Sequence, residues 1–294
     1  MKRRIVSTIF CILLVSANLS AETFNISSII NTAQEIPAPT GVPSSAGGFA
    51  MFQYDDVSKL LSWDIAWQDL TGPATGMHIH APAASGSTAG VVVNLGDISG
   101  LASPSIGSAT ITDEVAGFIL GGQSYVNIHT AQNGPGEIRG QLNPNNVNLV
   151  ASLDTAQEIP APVGVPADAG GSAAIAYDPA TKTLGWNIAW QNLTGPAIGM
   201  HFHAPAGVGE TAGVQVNVGD ISGLTSPSIG STVISDEFAS QLLDGQSYLN
   251  IHTDANRPGE IRGQVVPEPS GRAILLAAIV FVSAAIRKSR SSFQ

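Results

Sequence analysis

The chain's six histidines fall into one pattern that is used twice. His78 and His80 stand two apart in Gly76-Met77-His78-Ile79-His80-Ala81, and His201 and His203 do so in Gly199-Met200-His201-Phe202-His203-Ala204. Residues two apart on a β-strand project from the same face, so each pair presents two rings together. His129 and His252 end the apolar runs that begin at Tyr125 and Tyr248, each beside a turn. If those runs neighbour the His-x-His strands, each copy gathers three imidazoles, a ligand set suited to zinc or copper. Three such ligands leave a fourth position for an exogenous group, as reactive rather than closed structural sites do. The opposing reading makes the rings buried residues, hydrogen-bonded to the backbone or to Glu137 and Glu260.

Other chemistry is sparse. The single cysteine, Cys11, lies in the apolar N-terminal stretch, so a processed chain has no thiol chemistry and no Cys-ligated zinc. No Ser-His-Asp order, phosphate loop or dinucleotide fingerprint is present. Glu137 and Arg139 share a strand face, as an intrastrand pair or a clamp on His129. Asp97-Ile98-Ser99-Gly100 and Asp220-Ile221-Ser222-Gly223 read as turns and lack the acidic spacing of a calcium loop.

The elements that must position the imidazoles come from a duplication. Thr32-Ala33-Gln34-Glu35-Ile36-Pro37-Ala38-Pro39 returns as Thr155-Ala156-Gln157-Glu158-Ile159-Pro160-Ala161-Pro162, and the offset of 123 residues never slips. At that offset roughly two-thirds of positions are identical, which is a domain repeat and not a solenoid. Residues 24–142 form one module and 149–265 the other, joined by the short polar linker 143–148. In Leu61-Ser62-Trp63-Asp64-Ile65-Ala66-Trp67-Gln68 the apolar positions alternate, placing Trp63 and Trp67, with Trp186 and Trp190 in the copy, in the core. Further strands are expected at 49–54, 77–80, 91–95, 108–111, 125–129 and 137–142. Gln34, Glu35 and the neighbouring prolines read as an opening strand with a rigid turn. One helix per module is expected, capped at Thr112-Asp113-Glu114 and at Ser235-Asp236-Glu237. The fold class is therefore all-β: two tandem antiparallel sandwich or barrel modules, each with one short helix.

Both chain ends read as address labels. Lys2, Arg3 and Arg4, the apolar run 5–15 and the small-residue site ending at Ala21 make residues 1–21 a signal peptide to be cut by signal peptidase. Residues 266–294 hold Pro267-Glu268-Pro269, a short apolar run and a basic end. That order resembles the PEP-CTERM sorting signal, which implies processing by an exosortase-type membrane protease near Pro267, Glu268 and Pro269. Between the labels, five basic residues (Lys59, Arg139, Lys182, Arg257 and Arg262) face 21 acidic ones, a net charge of −16. Such a surface repels nucleic acid.

Three signposts recur in each module: Gln34-Glu35-Ile36-Pro37, then Gly76 to Ala81, then Tyr125-Val126-Asn127-Ile128-His129-Thr130 running to Pro135-Gly136-Glu137-Ile138-Arg139-Gly140-Gln141. This order resembles the CHRD domain of chordin and of many exported bacterial proteins. The resemblance implies no defined enzymatic activity. The expected function is thus an exported cell-surface or matrix protein, non-enzymatic, that binds extracellular polysaccharide, a surface protein or a metal ion. A zinc- or copper-dependent redox or hydrolytic enzyme using the three-His clusters is the alternative, and a structural spacer is a third. Membrane contact through the tail is expected at least transiently.

Overall fold

The computed structural model describes residues 22–268. One eight-stranded antiparallel sheet occurs twice. The first contains β1 (Thr23–Asn31), β2 (Gly47–Asp55), β3 (Leu60–Gln68), β4 (Ala74–His80), β5 (Val91–Asn94), β6 (Ser105–Thr110), β7 (Tyr125–Thr130) and β8 (Ile138–Gln141). Their order is β5-β4-β7-β8-β1-β2-β3-β6. The second contains β9 (Val147–Leu153), β10 (Gly170–Asp178), β11 (Thr183–Gln191), β12 (Ala197–His203), β13 (Val214–Asn217), β14 (Ser228–Val233), β15 (Ser247–Thr253) and β16 (Ile261–Pro267), in the equivalent order. Each sheet curls into a half-barrel around its own core.

Period-two patterning decides which face turns inward. Leu61, Trp63 and Ile65 on β3 are fully buried, as are Met77 and Ile79 on β4 and Val126 and Ile128 on β7. Trp63 and Trp186 anchor the two cores, each donating its indole N–H to a serine hydroxyl (Ser99 and Ser222) at 3.0 Å. The opposite face of β4 and β7 therefore carries His78, His80, Tyr125, Asn127 and His129 outward, away from the core.

Four expectations need correction. Each module holds two helices, not one: α1 (Leu95–Ser99) and α2 (Asp113–Leu120), then α3 (Val218–Ser222) and α4 (Asp236–Leu243). The segments read as turns at Asp97 and Asp220 lie in α1 and α3, where Asn94 and Asn217 accept the backbone N–H of Asp97 and Asp220 and cap the first turn. Gln34 and Glu35 do not lie in a strand; Thr32–Gln34 is a single 3₁₀ turn that follows β1. The strand β9 also begins at Val147, inside the segment read as linker.

The modules pack through the outer side of β1–β3. Ile29, Phe49, Met51 and Ala66 of the first meet Ala176 and Ile229 of the second. Gln68 bridges the joint, donating to the Ser222 carbonyl at 3.3 Å and accepting from the Ile229 N–H at 3.1 Å. The contact is asymmetric: Ile29, Phe49 and Met51 correspond in the repeat to Ser152, Ser172 and Ala174. Bulk on one module is met by its absence on the other, since a Cβ at Gly185 would lie 2.7 Å from Ile29.

Candidate metal centre

The antiparallel register brings the three imidazoles of each module together. His78 and His80 leave β4 on the same side, and β7 pairs with β4 so that Gly76 lies opposite His129. Glycine at that place is a steric requirement: a Cβ on Gly76 would stand 3.0 Å from His78 Cε1 and 3.3 Å from His129 Cδ2. Gly199 occupies the same position against His201 and His252. In both modules one ring nitrogen from each histidine lies within 4.8 Å of the other two. The geometric expectation from the sequence therefore holds for all six residues, His78, His80, His129, His201, His203 and His252.

Hydrogen bonds fix which nitrogens face inward. His80 Nδ1 lies 2.9 Å from the Ala89 carbonyl and His129 Nδ1 lies 2.9 Å from the Gly134 carbonyl. A carbonyl can only accept, so each Nδ1 carries the proton and each Nε2 is left with a bare lone pair. His78 Nδ1 lies 3.1 Å from His129 Nε2 and, that nitrogen being bare, donates its proton to it; an ion would take the place of that proton. The second module repeats this, with His203 on Ala212, His252 on Arg257, and His201 Nδ1 3.0 Å from His252 Nε2. His80 Nε2 and His203 Nε2 are buried and have no hydrogen-bond partner among the described residues. Leaving such a nitrogen unpaired costs about 1–3 kcal/mol, and a cation would remove that cost. Two nitrogens bound tetrahedrally to one zinc at ~2.05 Å stand about 3.3 Å apart, close to the 3.1 and 3.0 Å seen here.

Burial also keeps the rings neutral. Desolvation holds all six imidazoles below their ordinary pKa, and His203 is lowered to about 4. Neighbouring imidazoles add to the effect at His78 and His201. Neutral imidazole is the form that ligates. Tyr125 stacks on His80 with ring centroids 4.8 Å apart and planes 2° apart, and Tyr248 stacks on His203 at 4.7 Å and 1°.

The carboxylates do something other than expected. Glu137 does not clamp His129 and makes no pair with Arg139. It accepts from the Thr71 backbone and hydroxyl, the Thr130 hydroxyl and the Asn133 amide. Burial pushes its pKa up, but these donors outweigh burial and hold it below the usual carboxylate value. Glu137 thus fixes the turn whose Gly134 carbonyl orients His129, a supporting role that Glu260 shares. Sequence reasoning named Glu137 and Glu260 as direct partners of the histidines, not as supports of the turn, and missed Tyr125 and Tyr248, although the alternation that placed the histidines puts Tyr125 on the same face.

Of the residues expected to be processed, Ala21 and Pro269 lie outside the described residues, as do the signal-peptide segment and most of the tail. Pro267 lies opposite Leu149, and the Glu268 N–H donates to the Asn148 carbonyl at 3.0 Å. No described helix is long and apolar enough to cross a membrane.

Fold and site together define a tandem pair of antiparallel β-modules, each with a three-imidazole cluster on the outer face of its curled sheet. The chain belongs to the CHRD family: the model of the CHRD domain matches residues 26–142 and again 149–265. No curated protein matches it.

Proposed function

We propose that this chain is an exported cell-surface or matrix protein whose two CHRD modules each bind one zinc or copper ion through His78, His80 and His129, and through His201, His203 and His252. One observation carries the reading: in a cluster whose ring nitrogens converge within 4.8 Å, the buried His80 Nε2 has no hydrogen-bond partner while its Nδ1–H is spent on a carbonyl. The opposing idea, purely structural histidines, accounts for the Nδ1 bonds but leaves that nitrogen unpaired in both copies. The role in this reading is binding, with the rings oriented by carbonyls and aromatic faces. Three protein ligands leave room for an exogenous donor, through which a module would attach to a partner such as a surface polysaccharide or protein. Signal peptidase and an exosortase-type protease would deliver the chain to that location.

Metal content of the purified body, measured after dialysis against zinc or copper, tests the reading. Two ions per chain are expected, one in His80→Ala and none in His80→Ala/His203→Ala. Failure of the unaltered body to retain either ion would overturn the proposal.

A further inference from the structure

Arg139 and Arg262 are buried to 1% exposure, yet neither forms a salt bridge among the described residues. The ion pairs among the described residues are Lys59–Asp113, Lys182–Asp236 and Arg257–Asp254. Arg139 donates Nη2 to the Ser87 carbonyl at 2.7 Å, and its Nη1 is buried without a partner. Arg262 repeats this with a 3.4 Å bond to Gly207 and an unpartnered Nη1. Buried arginine is normally paired, because an uncompensated charge in the interior is costly. What each guanidinium does touch is a tyrosine: Cζ lies 3.5 Å from the ring centroid of Tyr125, and of Tyr248 in the copy. Strand order β4-β7-β8 sets that tyrosine between the arginine and the histidine it stacks on. The result is a three-layer stack, guanidinium, phenol and imidazole, whose last member is a ligand of the proposed metal centre.

We propose that Arg139 and Arg262 are fixed positive charges that bias their three-His centres toward singly charged copper and against divalent ions; this inference rests on the metal-binding reading above. The charge stands behind the ligand by two stacking steps of 3.5 and 4.8 Å. Glu35 and Glu158 act on Arg139 and Arg262 through their charge; burial pushes both carboxyls up, Glu158 to about 6, so at neutral pH each offsets part of its arginine's field. Asp97 acts in the opposite sense on His78, but from an exposed position where water screens it. No ligating side chain in either cluster is anionic, so nothing in the first ring of ligands favours a second positive charge on the ion. At an effective dielectric of ~20, a unit charge roughly 8–10 Å away changes the ratio of cuprous to cupric affinity by about 15–35-fold, and the partial offset by the buried acids brings the expected effect to about tenfold.

The test uses the full processed chain. Cuprous ion, kept reduced with ascorbate, is titrated against the zinc-loaded protein, and the reduction potential of the copper-loaded protein is measured. Cuprous ion is expected to displace zinc from both centres. The double variant Arg139→Gln/Arg262→Gln is expected to lose about tenfold in the cuprous-to-cupric affinity ratio, and Arg139→Lys/Arg262→Lys to retain most of it. An unchanged ratio in the Gln variant overturns the inference while leaving metal binding intact. If the Gln variant does not fold, zinc held by the unaltered chain against excess cuprous ion overturns it instead. Loss of all metal from the unaltered chain refutes the underlying reading, a separate outcome.

Discussion

Replacing Gly76 by alanine probes the cluster without touching a ligand. The added methyl would stand 3.0 Å from His78 Cε1 and 3.3 Å from His129 Cδ2. Favourable carbon contacts start at about 3.5 Å, so the His78 ring must give way by roughly 0.5 Å and the His129 ring by roughly 0.2 Å. Metal–ligand distances tolerate only about ±0.2 Å. The ring displacement should therefore cost affinity on the scale of lost supporting contacts, about 10–100-fold. The fold should lose no more than about 1–2 kcal/mol, since the methyl points away from the core and the rings are partly exposed. Calorimetric titration with zinc would then resolve two unequal sites, one weakened and one unchanged, with Gly199→Ala giving the mirror result. Two sites of unaltered affinity in Gly76→Ala, with the alanine chain folded, would refute the claim that these rings share an ion.

Three further outcomes are expected. Asp64 is raised by desolvation to about 6, and the repeat has the uncharged Asn187, whose Oδ1 is buried without a partner just as Asp64 Oδ1 is; a carboxyl whose folded pKa lies above its unfolded value costs stability as pH rises from ~4 to 6, so Asp64→Asn, which removes only the charge, should gain about 1–2 kcal/mol above pH 6 and nothing below pH 4 in urea melts. The depressed imidazoles bind protons more weakly folded than unfolded, so the metal-free chain should lose stability as pH falls below 6.5, and the midpoint of acid-driven metal release should lie below that value; release centred at 6.5 or above would contradict the burial argument. Phe49→Ser, which installs the residue found at Ser172, should split one thermal transition into two by removing the largest side chain at the module joint, while both modules still bind metal.

The duplication, the β class and the His-x-His pairs were legible because each rests on a strict period: 123 residues for the repeat and two for strand faces. His129 joined the cluster only through register, which the sequence suggests by placing it in a neighbouring apolar run but does not fix. The strand β1 was missed for a physical reason. Its residues from Ile26 to Ile30 are all buried, with Ile29 turned outward against the second module, so the alternation that marks a one-sided strand is erased. The helix α1 was hidden by brevity, five residues directly after an apolar strand, with Asn94 as its cap. The Arg139–Tyr125–His80 stack was not legible at all, because it depends on the pairing of β7 with both β4 and β8, which the sequence does not fix.

X-ray absorption at the metal edge of the zinc- or copper-loaded chain addresses the metal centre most directly. The structure predicts three imidazole nitrogens per ion at about 2.0–2.1 Å, and no bound metal to give that spectrum in His80→Ala/His203→Ala. A spectrum dominated by oxygen ligands, or one unchanged by that double substitution, would contradict it.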